Sequence, residues 1–381
     1  MIPRYRPAID LPAWAPMLSG RRGPQNASDG LVHLLGVRRE FRCVTAFATL
    51  REGIYDWFLG LRRRKGAGYV LMSSQICPVV PMAARAAGHE LQFADIARDF
   101  PTPGPAQIVP LLGPKTVAIV VAPLYGHIQS DWSALTSIPA RPELFLDLAQ
   151  GLGHDGCGAP MSHASAVGYS FGIGKGMDTG GGLLLSCDAP DSAKKAEGSF
   201  AIGTLGKSIL LRALMAGGLY GLVAKAVAKA AEPQPQEFRP LVRTLDLEKS
   251  AQLWSARLRT LAKELEIART RALDLRRCLE NSSAVADTAV YFSPTATHLR
   301  QIVKVTDPAR RDRVVAALLA RGIDCAPAGE RPPWTYLPQV EQRSFPNTTH
   351  FLATAIRLPF LARLSEREYV RVREALGVAL G

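Results

Sequence analysis

Lys175 stands in the run Ser170-Phe-Gly-Ile-Gly-Lys175-Gly-Met-Asp-Thr-Gly-Gly-Gly182, downstream of Asp147, which ends the apolar run Leu144-Phe-Leu-Asp147; Gln150 follows three residues later. A lysine amine can form an imine with a carbonyl-bearing cofactor and later shuttle protons. A carboxylate held against a pyridine nitrogen keeps that nitrogen protonated and turns the ring into an electron sink. Hydroxyls and glycine amides can receive a phosphate. The lysine, the carboxylate and the Ser/Gly-rich strip, in this order, are the parts that pyridoxal 5'-phosphate chemistry requires.

Two other glycine-rich segments compete with this strip. Gly151-Leu-Gly153-His-Asp-Gly156 has the letters of a dinucleotide fingerprint, but the sequel CGAPMSHASA carries a proline and small polar residues where an amphipathic helix should present its N-terminus. Ala201-Ile-Gly-Thr-Leu-Gly206-Lys207-Ser208 satisfies a relaxed phosphate-loop pattern, giving a P-loop NTPase as a competing reading. Its lead-in SAKKAEGSF is too polar for a buried strand, and the Asp-ended strand at Asp147 precedes the loop instead of following it.

The elements that must position these residues are legible in outline. Short apolar runs at Tyr69-Val-Leu-Met, Glu90-Leu-Gln-Phe-Ala-Asp, Val117-Ala-Ile-Val-Val-Ala, Leu144-Phe-Leu-Asp, Val167-Gly-Tyr-Ser-Phe and Leu183-Leu-Leu-Ser have strand length, and PMAARAAG (81–88) reads as a helix between two of them. That alternation predicts an α/β fold with a mostly parallel sheet, in which ligands bind at the carboxyl ends of strands. The first 30 residues read as an N-terminal arm and 31–245 as the large, cofactor-binding domain, with an atypical helical insert over 192–235. Residues 246–381 read as a long linking helix followed by a small C-terminal α+β domain. In the linking helix Ala251, Trp254, Leu258, Leu261, Leu265, Ala268, Ala272, Leu275 and Leu279 keep one apolar face. The C-terminal part reads as a strand from His298, a helix from Pro308, a strand from Thr354, and a last helix capped by Ser365 and Glu368.

Bulk properties narrow the class. The chain has 381 residues, long enough for one large and one small domain, and its 47% hydrophobic content is that of a globular protein. Six cysteines lie far apart, with no metal-ligand spacing, so reduced thiols, no metal site and a cytoplasmic setting are expected. The most apolar stretch, 213–224, is 12 residues long against the roughly 20 that a spanning helix needs. The net charge of +13 favours anionic partners, but no aromatic-interleaved basic motif points to nucleic acid.

The chain resembles the DegT/DnrJ/StrS family, the sugar aminotransferase branch of fold-type-I pyridoxal-phosphate enzymes. The resemblance runs through Ser74-Gln-Ile-Cys-Pro, Ala87-Gly88, Phe93-Ala-Asp95, Leu124-Tyr125-Gly126 with Asp131, Leu146-Asp147-Leu-Ala-Gln150, Ser170-Phe171, Lys175 and Gly180-Gly-Gly182, and then more weakly through Arg321-Gly322-Ile323, Phe345-Pro346 and Leu358-Pro359. It implies that Lys175 forms the imine with pyridoxal 5'-phosphate and acts as the proton-transfer base. It further implies that Asp147 pairs with the pyridine nitrogen, Gln150 approaches the phenolic oxygen, and Ser170 binds the phosphate. Some members carry histidine in place of this lysine and perform deoxygenation; a lysine here favours transamination. The implied reaction takes an amino group from an amino acid, glutamate as the expected donor, to a keto group of a nucleotide-activated sugar for polysaccharide or glycoconjugate biosynthesis, and the implied assembly is a homodimer.

Two departures from the family pattern accompany the resemblance. Thr49-Leu50-Arg51 stands where the family's phosphate loop usually reads Ser-Gly-Thr, leaving Thr49 and Arg51 to hold phosphate through side chains. The aromatic that commonly covers the cofactor ring is replaced near Cys77. A catalytically degenerate or regulatory member of the same fold is therefore the alternative reading. The insert at 203–230 has two further readings, a helix buried in protein and an amphipathic surface helix making peripheral contact with the inner, anionic membrane face.

Overall fold

Apolar runs short enough to be strands assemble into one central sheet. In a computed structural model of the chain, residues 1–18, 26–37, 41–129, 142–153, 158–189, 194–195, 200–216, 241–280 and 288–381 are described. The sheet contains β1 (Cys43–Phe47), β2 (Tyr69–Ser73), β3 (Glu90–Ala94), β4 (Thr116–Val121), β5 (Glu143–Asp147), β6 (Ala166–Ser170), β7 (Gly182–Ser186), β8 (Lys194–Lys195) and β9 (Arg243–Thr244), in the order β3-β2-β4-β5-β6-β7-β1-β9-β8. From β3 through β6 every pairing is parallel, and β7 runs antiparallel to both β6 and β1. The carboxyl ends of β4, β5 and β6 thus open on one edge, where an α/β sheet places its ligand.

Strand periodicity sends alternate side chains to two separate cores. Phe145 and Ala166 face the helices Leu50–Lys65 and Val79–Ala86, with Trp57, Phe58, Val80 and Ala83. Leu144, Leu146 and Val167 face the opposite way, against Leu253, Trp254 and Leu261 of the helix Leu247–Glu280. That 34-residue helix continues into a third cluster through Leu275 and Leu279, so one apolar stripe serves two clusters.

The N-terminal segment is packed, contrary to its expected character as a free arm. Trp14, in the helix Leu11–Leu18, and Leu31, in the helix Ala27–Leu34, are buried in the same cluster as the long helix, and Ile2 bridges to Ile323. The pairing of large apolar residues with Pro and Arg hides this from a composition argument.

The second sheet is antiparallel, in the order β10-β11-β13-β12, from β10 (Thr288–Val290), β11 (Ile302–Val305), β12 (Ala326–Pro327) and β13 (Ala355–Arg357). Its strand expected from His298 starts only at Ile302. His298 has φ 48°, and its ring lies within hydrogen-bond distance of Gln301 Oε1 and the Ser293 carbonyl, which holds a turn. Asp307 caps the helix Pro308–Ala320, accepting the Ala309 and Arg310 amides, and the Ser365/Glu368 capping box opens the helix Glu366–Leu380.

Of the insert at 192–235, the described part is β8 and the helix Phe200–Ala216. Residues 201–208 lie inside that helix, where the amides from Thr204 onward are committed to helical hydrogen bonds and the run forms no loop around a phosphate; the P-loop reading fails on this geometry. Among the described residues, no helix is long and apolar enough to cross a membrane.

Candidate active site

Asp147 is the last residue of β5 and is buried. Its Oδ1 accepts the Ala149 amide at 3.0 Å, and among the described residues no cation pairs with it. Burial raises its pKa, against the opposing pull of the Ala149 hydrogen bond and the Lys175 charge, while the Glu330 carboxylate pushes in the same direction as burial. A buried carboxylate with one backbone donor and no counterion is costly unless a positive group completes it. Gln150, one turn further on, accepts the Tyr125 amide at its Oε1 (3.1 Å) and points its Nε2 at Glu330 Oε1 (3.4 Å).

Lys175 sits on the loop between β6 and β7, half-buried, with its amide donating to the Gly172 carbonyl. Gly174 and Gly176, on either side of it, have φ +87° and +89°, backbone that glycine adopts without strain. The loop is clamped from three directions. Asp178 accepts the Gly174 amide at 2.9 Å and the Tyr5 hydroxyl at 2.5 Å. From the long helix, Arg257 donates to the carbonyls of Gly176 and Met177, and the Trp254 indole to that of Gly180. From the turn before the last helix, Arg363 donates to the Gly176 carbonyl and pairs with Asp178. A flexible glycine-rich strip is thereby held in one shape around its lysine.

Cys77 reports where the lysine lies. Burial pushes its thiol up to about 11, the Glu330 and Asp147 carboxylates push it further, and the Lys175 charge pulls it back. Asp147, Lys175, Cys77 and Glu330 therefore share one electrostatic environment at the carboxyl end of β5.

The other two expected residues occupy neighbouring strand ends. Ser170 closes β6 opposite Gly182 of β7, while Thr49 follows β1, bridges to Gly181 and occupies the position just before the helix Leu50–Lys65 without a side-chain capping bond. A Cβ on Gly182 would lie 2.4 Å from the Leu50 amide nitrogen, so only glycine lets β7 run directly beneath the first turn of this helix. The Thr49 hydroxyl donates to Glu52 Oε1 at 3.4 Å, and Glu52 is paired with Arg243 at 2.7 Å. The N-terminal end of a helix, with its positive dipole end beside two hydroxyls, can receive an anion.

Several residues around this centre were not singled out from the sequence. Glu330 is brought in by Gly329 at φ +123°; the Gly329 amide donates to the Tyr125 hydroxyl at 2.7 Å and the Glu330 amide to Gln75 Oε1 at 2.9 Å. Tyr125, itself at φ 57° in the run Leu124-Tyr125-Gly126, has its hydroxyl pushed up to about 12 by burial. These contacts join residues some 200 or more positions apart, for which local sequence carries no pairing signal; the hints were Tyr125-Gly126 and Gln75, both within the runs quoted for the resemblance. Of the quoted motif residues, Asp131 lies outside the described ones, as does part of Gly151–Gly156.

The donor set fits pyridoxal phosphate. A buried, unpaired carboxylate suits a protonated pyridine nitrogen, a clamped lysine suits the carbonyl, and the helix start with Thr49 and Ser170 suits the phosphate.

Residues 60–218 match the model of the DegT/DnrJ/EryC1/StrS aminotransferase family. No match is found among curated proteins. Solved structures share the fold across nearly the whole chain. The aminotransferase TlmJ from Streptoalloteichus hindustanus has a TM-score of 0.71 at 19% identity, covering 100% of this chain and 99% of its own. DesI, solved in the presence of its TDP-sugar product, gives 0.70 at 20% identity, over 100% and 93%. Helicobacter pylori PseC, an aminotransferase of pseudoaminic acid biosynthesis, gives 0.71 at 14%, over 100% and 99%.

Proposed function

We propose that this chain, a member of the DegT/DnrJ/EryC1/StrS aminotransferase family through residues 60–218, is a pyridoxal-phosphate-dependent aminotransferase that moves an amino group from an amino acid, glutamate as the first donor to test, onto a keto group of a nucleotide-activated sugar. The observation that carries the reading is the buried Asp147 carboxylate, without an ion-pair partner among the described residues and within the electrostatic field of the clamped Lys175.

The bound cofactor supplies a carbonyl for amine exchange and a ring that stores electrons. Asp147 holds the proton on the ring nitrogen. Gln150, positioned by its bond from the Tyr125 amide, orients the phenolic edge. Ser170, Thr49 and the amides at the start of the helix Leu50–Lys65 anchor the phosphate. Lys175 would hold the cofactor between turnovers, and its Nζ would be the base that removes the donor's α-proton in the first half-reaction and the acid that delivers a proton to the sugar carbon in the second.

The sugar's diphosphate agrees with the +13 charge. The assembly proposed is a homodimer working at the cytoplasmic face of polysaccharide or glycoconjugate assembly, with the exposed Ile209 and Leu210 of the helix Phe200–Ala216 available for peripheral membrane contact.

Spectra of the holoenzyme test the two halves separately. L-glutamate alone is expected to bleach the visible absorbance of the bound cofactor, and a nucleotide-activated keto-sugar added afterwards to restore it. No response to glutamate removes it as donor, no recovery removes the sugar as acceptor, and an empty protein that cannot be loaded removes the enzymatic reading altogether.

A further inference from the structure

Glu330 brings to the centre a second carboxylate that the reaction proposed above does not use. It is half-buried and makes no ion pair with a described residue. Its backbone is fixed on both sides of its own Cα by one side chain: the amide donates to Gln75 Oε1 at 2.9 Å, and the carbonyl accepts Gln75 Nε2 at 3.4 Å. Gln75 is itself buried, and its amide donates to Ser73 Oγ at 3.0 Å at the end of β2. On the preceding residue, the Gly329 amide bonds to the Tyr125 hydroxyl at 2.7 Å, and a Cβ on Gly329 would collide with Leu352. The carboxylate thus stands on a backbone held from two parts of the large sheet's edge.

Its side chain meets Gln150. The Tyr125 amide can only donate, so the Gln150 atom that accepts it is Oε1, and the atom turned to Glu330 Oε1 at 3.4 Å is the donor Nε2. An amide nitrogen carries two hydrogens, so one remains for a second acceptor. Behind burial, the Glu330 charge raises the Asp147 carboxyl, the Cys77 thiol and the hydroxyls of Tyr125 and Tyr336. The Lys175 charge acts on Asp147 and Cys77 in the opposite sense, and Arg357 is the cation that shares the Glu330 field. Two carboxylates therefore act on the space around the lysine.

We propose that Glu330 is a positioning residue for the cofactor's phenolic edge: it holds the Gln150 amide with its second N–H free for that edge and keeps a negative charge near the linkage between Lys175 and the cofactor. This rests on the aminotransferase reading above. A nearby negative charge favours the protonated form of a nitrogen. A protonated linkage is the more electrophilic one, the form that an incoming amine attacks. Glu330 therefore extends to higher pH the range in which the linkage is ready for exchange, a task separate from that of Asp147 at the ring nitrogen.

The test follows the visible absorbance of cofactor-loaded protein as pH is raised, with neither donor nor acceptor present, so that it reads the proton of the linkage and not turnover. Glu330→Gln keeps an acceptor for Gln150 Nε2 and removes only the charge; its transition is expected about one pH unit below that of wild type. Glu330→Asp keeps the charge and should shift by less than about half as much. Glu341→Gln, at an exposed carboxylate paired with Arg343, should titrate as wild type does. A Glu330→Gln transition that coincides with wild type or moves upward would overturn the proposal, as would a Glu330→Asp shift equal to that of Glu330→Gln. Should Glu330→Gln load poorly, Glu330→Ala removes the same charge and is held to the same expectation. Loading of the wild type is scored first: its absence defeats the aminotransferase reading, whereas loaded proteins with coincident transitions defeat only the role of Glu330.

Discussion

The proposed reaction rests on a single buried charge, Asp147. Burial raises its pKa in the folded chain above the unfolded value. Its contribution to the stability of the cofactor-free protein is therefore full below the ordinary carboxylate range and is lost as pH rises through the raised value. Asp147→Asn removes that loss. The cofactor-free variant should melt above cofactor-free wild type at neutral pH, the gap closing in acid, while the loaded variant should lose about 100-fold or more in amino transfer. A variant less stable than wild type when empty at neutral pH would show that Asp147 serves the fold instead. At this scale the sequence carried Asp147, Gln150, Ser170 and Lys175 because they sit in short contiguous runs. Glu330 was invisible, because its placement depends on contacts with Gln75 and Gln150, which are 255 and 180 positions away in the chain.

Among the elements, the loop from Ser170 to Gly182 depends on a network centred on Arg363. This arginine pairs with Asp178 at 2.5 Å and Glu264 at 2.8 Å, and both it and Asp178 are nearly excluded from solvent. Arg363→Ala leaves a buried carboxylate unpaired and should cost about 3–5 kcal/mol in denaturant unfolding. A loss under about 1 kcal/mol would show that the clamp is not structural. The last helix offers a pH-dependent companion. Arg6 and the capping box hold the Glu368 carboxyl down at about 2 from 4.5, so its stabilisation is complete above 4.5 and lost as pH falls toward 2. Glu368→Gln should cost about 1 kcal/mol at neutral pH, with the difference vanishing toward pH 2; a constant difference would contradict the assignment. The strands β2 to β7 and the long helix were legible from apolar periodicity. β1 was not, since three of its five residues are only half-buried, and β8 and β9, two residues each, are too short for any period to register.

Across the whole molecule, the site is closed by parts of the chain that have no separate claim to function. Residues 1–8 reach both domains: Arg4 pairs with Asp324, Arg6 with Glu368, and Tyr5 and the Ala8 amide meet Asp178 on the lysine loop. Removing these residues should speed hydrogen exchange at the Gly174 and Gly180 amides, which are bonded to Asp178 and to the Phe171 carbonyl, well before it affects the central strands. Unchanged exchange there would mean that the long helix and Arg363 hold the loop alone. The long helix was readable from its apolar stripe, whereas the packing of the N-terminus was not, because its buried residues Ile2 and Trp14 are spaced too widely among Pro and Arg to form a pattern.

The central claim is that Lys175 carries the cofactor. Protein incubated with pyridoxal 5'-phosphate, fixed with borohydride, digested and mapped by mass spectrometry should carry the modification on Lys175 alone, and Lys175→Ala should carry none. A label on any other lysine, or an unlabelled wild-type chain, would contradict the account.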